Sequence, residues 1–192
     1  MRWCNFLAVG TEPIMPKTSA TMRGFLIFWF LGWALFILVG ILQPVAGDGL
    51  GQFGMEAHRR AGTADMVNAI HSHWQNIGVY DRATWSLVVD LLFITAFSIG
   101  GVLGGLLLRQ NMHANIRRVG LLAIVAHIVF AVSDYAETIS QLIQMVDGMG
   151  SDNLANIASI ARPIKIQSFL IAVAAIVIGF IASKIITRKT AA

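Results

Sequence analysis

The chain has 192 residues, of which 56% are hydrophobic and only 12% charged, with a formal net charge of +4. That mixture excludes an ordinary soluble domain, and a single cysteine, Cys4, excludes an intrachain disulfide framework or a cysteine-rich metal centre. The bases flank apolar runs and form no basic face on a soluble domain, so nothing supports a nucleic-acid partner.

Residues 1–22 read as a cytoplasmic, poorly ordered tail: Pro13 and Pro16 oppose a long helix, and Met15 and Met22 offer alternative starts. Gly24 to Gln43 is the first of four apolar runs that reach the roughly 20 residues a bilayer core of about 30 Å requires. It is about twice the length of a signal-peptide core, so it reads as a retained span. A cleaved signal ending near Val45-Ala46-Gly47 is the lesser alternative.

The segment 44–84 opens on glycine-rich Gly47-Asp48-Gly49-Leu50-Gly51 and then turns amphipathic. Met66, Ile70, Trp74 and Ile77 follow a helical period, Thr63 suits an N-cap and Gly78 a stop. The pattern predicts a helix over 64–77 lying along the outer interface. Span two covers 85–108 and span three 119–140, joined by a short link; span four covers 164–186 and follows a loop from Asp147 to Ala161. Residues 23–187 thus form one transmembrane domain, and 188–192 a second short tail. Short links make successive spans antiparallel neighbours.

Arg2, Lys17 and Arg23 precede span one, Arg109, Arg117 and Arg118 lie between spans two and three, and Lys184, Arg188 and Lys189 close the chain. The positive-inside rule puts these nine bases, and both termini, in the cytoplasm. The opposite segments carry Arg59, Arg60, Arg82, Arg162 and Lys165, and every acid except Glu12.

Packing between spans depends on small residues and on polar groups that bond across helices. Gly100, Gly101, Gly104 and Gly105 supply overlapping small-xxx-small pairs on span two, and Ser168, Ala172, Ala175, Gly179 and Ser183 a matching stripe on span four. On span three, His127, Asp134, Glu137 and Gln141 fall within about 80° of one another at 100° per residue. Asp90 lies roughly 8 Å inside span two, the same outer layer as Asp134, Glu137 and Lys165. A lone charge in hydrocarbon costs about 2.5–3.5 kcal/mol, so such residues pair, face the bundle interior or touch water. Asp90, Asp134, Glu137, Lys165, Gln141 and His127 are therefore the candidate ligand- or proton-binding cluster. Three acids against one internal lysine leave an acidic excess unless Arg162 or a proton compensates. The competing reading is a purely structural network.

Over this cluster the 64–77 helix is expected to act as a lid, with His73 titrating against the carboxylates and Trp74 beside it. A metal centre built on His71 and His73 with Glu56, His58 and Asp65 is disfavoured, because helical residues two apart point about 160° from each other. A bis-histidine haem lacks a second histidine at the depth of His127. Gly-x-Ser-x-Gly, Walker and dinucleotide motifs are absent. No catalytic residue, metal or cofactor is predicted. Trp29, Trp33, Trp74 and Trp85 read as interface anchors and lipid-facing bulk.

The succession Trp74-x-x-x-Gly78, Leu87 to Ile94, Asp134-Tyr135-Ala136-Glu137 and Lys165 resembles an uncharacterised group of small bacterial four-span inner-membrane proteins over residues 24–186. That group carries tyrosine where Phe97 stands and asparagine where Thr138 stands. The resemblance implies a bacterial inner-membrane location and transfers no activity.

The fold expected is all-α: a four-transmembrane-helix bundle with an external amphipathic interfacial helix between spans one and two. The function expected is that of a non-catalytic binding or accessory subunit with an outward-facing acidic pocket, its partners being the bilayer, other membrane subunits or copies of itself. A proton- or cation-linked carrier using the same carboxylates is the alternative, and a haem- or metal-dependent redox protein a weaker one.

Overall fold

The computed structural model describes residues 18–44 and 52–190. Arg2, Cys4, the prolines at 13 and 16, Lys17 and the glycine-rich stretch 47–51 lie outside the described residues. Six helices follow in order: α1 (Thr18–Leu42), α2 (Met55–Arg59), α3 (Ala64–Asn76), α4 (Tyr80–Arg109), α5 (Ala114–Asp147) and α6 (Asp152–Thr190). Four of them, α1, α4, α5 and α6, are long and apolar enough to cross a membrane. The protein is an all-α bundle of four such helices, with α2 and α3 as minor additions at one end, here called the capped end.

The long helices run up and down, and α4 packs on both α1 and α5 while α5 packs on α6. Glycine sets the approach at two of these seams. A Cβ on Gly100 would sit 2.8 Å from Trp29 N, so only glycine lets the α1 and α4 backbones meet there. Across α4 and α5, a Cβ on Gly105 would come within 2.8 Å of Gly120 O, and one on Gly120 within 2.7 Å of Gly105 O. Close backbone contact of this kind gives membrane helices their van der Waals association. Between α1 and α6 the space is filled by rings: Phe25 stacks on Phe180 with centroids 5.1 Å apart, and Phe36 on Phe169 at 6.0 Å. Phe169 also meets Phe97 at 5.2 Å and Phe130 at 5.5 Å, giving an aromatic layer at the bundle centre. Trp29 stacks on Phe97 at 5.1 Å and Trp33 meets it edge-on at 5.9 Å. These two tryptophans thus pack within the bundle instead of anchoring an interface, whereas Trp85 is exposed.

Several helices extend beyond the expected limits. Residues 18–22, read as tail, begin α1. α4 starts at Tyr80, and α5 runs 34 residues. Most of the expected loop from Asp147 to Ala161 is helical: α5 ends at Asp147 and is capped by Gly148, whose φ of +67° suits the left-handed conformation glycine tolerates, and α6 begins at Asp152. Pro163 lies inside α6, where its ring removes one backbone hydrogen bond. Ahead of it, Ala155, Ala158 and Ala161 are buried on one face, and that packing carries the helix through. With about 1.5 Å of rise per residue, α5 and α6 exceed a bilayer core and project at the capped end.

Onto that projection α2 and α3 dock. Thr63 Oγ1 accepts from Met66 N at 3.4 Å to cap α3, and Gly78 closes it with φ +73°. The buried face of α3 is Val67, Ile70, His71 and Trp74; Met66 and Ile77 are exposed. The expected apolar stripe is therefore rotated, because α3 packs on protein and not along a flat interface. Trp74, Ile70, Met55, Leu87 and Met145 form a satellite core, and Trp74 Nε1 donates to Phe53 O at 2.6 Å. Polar ties secure α3 to the α5–α6 turn: Ala64 N donates to Asp152 Oδ1 at 2.7 Å, and Gly150 N to Asn68 Oδ1 at 2.6 Å.

Candidate functional site

The face of α5 at the capped end is polar along its length, yet Asp134, Glu137, Thr138 and Gln141 are each no more than 1% exposed. They stay buried because α4, α6 and α2 surround them and bring matching groups. From α6, Lys165 Nζ reaches Asp134 Oδ1 at 2.5 Å and Glu137 Oε2 at 3.3 Å. One turn earlier on α6, Arg162 Nη1 lies 3.5 Å from Glu137 Oε1 and Arg162 Nη2 pairs with Glu56 of α2. Also from α2, Arg59 Nε sits 3.4 Å from Glu137 Oε1, and its Nη1 donates to Gln43 just beyond α1 at 3.4 Å. On α4, Asp90 Oδ2 accepts from Thr138 Oγ1 at 3.1 Å, and the same hydroxyl lies 3.4 Å from Asp134 Oδ1.

Three buried carboxyls, Asp90, Asp134 and Glu137, thus share one network with three cations, Lys165, Arg162 and Arg59. The acidic excess expected from the sequence is removed by two arginines, Arg162 and Arg59. Arg59 was assigned to the external segment, and nothing in local periodicity signals that α2 turns it inward. Glu56 belongs to the rim, held by Arg162 and by Arg60 Nε at 2.6 Å. Burial acts to raise the Glu56 carboxyl, but the hydrogen bonds and charges of Arg162 and Arg60 outweigh it and hold Glu56 below the usual range.

The other expected site residues stand apart from this network. Gln141 lies one turn beyond Glu137, and neither end of its amide has a hydrogen-bond partner among the described residues; the same holds for Asp134 Oδ2. His127 is seven residues from Asp134, about 10 Å along α5, in the aromatic layer. Its Nδ1 is 2.7 Å from Ala123 O, its ring meets Phe97 at 5.2 Å, and a Cβ on Gly101 would fall on the ring itself. Gly101 is the notch that receives His127. Gly104 faces Phe25 and Ile176.

The lid residues are displaced as well. His73 packs on Phe53 with centroids 5.1 Å apart and makes no ion pair with the carboxylates among the described residues. Trp74 is wholly buried in the satellite core. Arg59 on α2 is the group from the cap that reaches the cluster, and α3 supports it from behind. His71 faces inward and meets His58 of α2, with Nε2 to Nε2 at 3.0 Å. Desolvation lowers both imidazoles: His58, with further repulsion from His71 and Arg59, to about 3, and His71 to about 4. Both are therefore neutral at pH 7, one N–H donating to the other ring. Among the described residues no three histidine, cysteine or acidic side chains converge as a metal site would require.

The arrangement holds charge in place: every cation of the inner network has a carboxylate, and four helices contribute. Comparison with protein-family models, curated proteins and solved structures returned no match.

Proposed function

We propose that this integral membrane protein is a non-catalytic binding or accessory component, and that the cluster of Asp90, Asp134 and Glu137 locks three spans and the cap into one register. The observation that carries this reading is the three-to-three balance of buried acids and bases. A compensated network has no net charge to offer a substrate ion, and taking it apart would strand several charges away from water. The exposed apolar surface of α1, including Ile27, Phe30, Ile37 and Ile41, suits contact with the bilayer and equally with an apolar face of a neighbouring span. The positive-inside rule favours a cytoplasmic position for the uncapped end, which carries Arg23, Arg109, Arg117, Arg118 and Lys184, with the cap outside. The resemblance to small bacterial four-span proteins favours the inner membrane.

Unfolding of Glu137→Gln in mild detergent tests the lock. Removing this carboxylate leaves Arg59 and Arg162 without their buried acid, and a loss of about 3–5 kcal/mol is expected. Unchanged stability would contradict it.

A second reading, a proton- or cation-linked carrier, is favoured by one specific observation. Asp134 Oδ2 and both amide atoms of Gln141 are buried polar groups without hydrogen-bond partners among the described residues, a condition that costs stability and is found where a proton or ligand is exchanged. On this reading Asp134 carries the proton and Lys165 balances its charge. Proton flux into proteoliposomes that disappears in Asp134→Asn would support it.

A further inference from the structure

The two ends of the bundle treat their cations differently. At the capped end Arg59, Arg60, Arg162 and Lys165 each hold a carboxylate. At the other end Arg109, in the last turn of α4, and Arg117 and Arg118, near the start of α5, line a cavity of about 460 Å³ with Ala114 and Leu121. The first turn of α5 contains no acid, and none of these three guanidiniums makes a hydrogen bond or ion pair among the described residues. Three like charges around one cavity repel each other and attract an anion. The positive-inside rule accounts for bases in this link, but it does not require them to line one common pocket.

From that cavity an apolar track leads along the membrane-facing side of α5. Leu121 lines the cavity and is half exposed; Val125, Ile128 and Val132 follow at helical spacings of four, three and four, each exposed by 49% or more. Ile128 and Val132 then line an apolar groove of about 310 Å³ together with Ile99 and Leu103 of α4. Leu121 to Val132 spans about 16 Å of helix axis, close to the thickness of one leaflet of a core about 30 Å thick. An anionic head and an apolar tail of one leaflet's length are together the chemistry of a phospholipid.

We propose that this face of α4 and α5 is a binding site for an anionic phospholipid. Its phosphate is held by Arg109, Arg117 and Arg118, through the forked N–H pairs that suit phosphate oxygens, and an acyl chain lies along Leu121, Val125 and Ile128 into the groove. Charge complementarity selects the anionic lipid over a zwitterionic one. The site is independent of the polar cluster at the capped end and holds for either orientation of the chain in the membrane.

The test is native mass spectrometry of the full chain released from vesicles of equimolar phosphatidylglycerol and phosphatidylcholine. Preferential retention of phosphatidylglycerol is expected, falling about tenfold, equivalent to 1.4 kcal/mol, when Arg109, Arg117 and Arg118 are all changed to Gln. Because that variant also weakens the topology signal, Arg109→Lys, Arg117→Lys and Arg118→Lys combined keeps the charge and removes the fork. It should insert normally and keep the preference for phosphatidylglycerol while retaining less of both lipids. Ile99→Trp, which fills the groove, should weaken retention with the arginines intact. Equal retention of both lipids by the wild-type chain, or an unchanged preference in the Gln variant, would overturn the proposal. Full displacement of the lipid by excess inorganic phosphate, with Ile99→Trp without effect, would also overturn it and leave a site for free phosphate alone.

Discussion

At the residue scale, two glutamates separate burial from mere pairing. Glu137 is fully buried among Arg59, Arg162 and Lys165, while Glu56 is half exposed between Arg162 and Arg60. Glu56→Gln should cost less than about 1 kcal/mol in the same unfolding assay that shows about 3–5 kcal/mol for Glu137→Gln, since solvent and salt screen an exposed pair. Glycines divide in the same way. Gly101→Ala places a methyl on the His127 ring and should destabilise by about 1–3 kcal/mol. Gly40→Ala meets nothing within 4 Å and, in the helix α1, should stabilise by about 0.5–1 kcal/mol. Asp90, Asp134, Glu137 and Lys165 could be read from the sequence because charge inside an apolar run is conspicuous. Arg59 could not, since it follows a stretch with no span of its own and its partner lies 78 positions on.

At the element scale, the cap is joined by a neutral histidine pair. The folded values of His58 and His71 lie below that of free histidine, near 6.5, so the unfolded or opened form takes up protons first. The stability they contribute is complete above about pH 6.5 and is lost as pH falls toward 4 and then 3, at up to about 1.4 kcal/mol per pH unit from His58 alone. Glu56 acts in the same sense at lower pH, because its depressed carboxyl must be protonated as the pH drops through its folded value. Hydrogen exchange in 55–76, corrected for intrinsic rate, should accelerate between pH 6.5 and 4.5 while α4 and α5 stay protected. Replacing both histidines with Gln should flatten that response; an unaltered response would locate the acid sensitivity elsewhere. The termini of α3 were legible because Thr63 and Gly78 carry local signals. Its buried face was not: Met66 and Ile77 fit the apolar period, but His71 gains a partner in His58, a contact that no spacing within α3 encodes.

At the scale of the whole molecule, length and composition alone define four spans, because hydrocarbon admits few alternatives to an apolar helix. How far each helix runs was less legible. The start of α6 at Asp152 depends on Ala155, Ala158 and Ala161 packing on neighbouring elements, against the local signal of Pro163. The proposed orientation predicts that, in a Cys4→Ser background, Met112→Cys, at a position 95% exposed in the α4–α5 turn, is labelled by a membrane-impermeant thiol reagent only from the cytoplasmic side; labelling from outside would invert the assignment. The choice between a locked network and a carrier is settled most directly by ion flux. In proteoliposomes under an imposed pH gradient and, separately, a cation gradient, the wild-type chain should conduct no faster than empty vesicles. Flux above that background, abolished by Asp134→Asn in a variant that remains folded, would contradict the compensated lock and make the cluster a transport site.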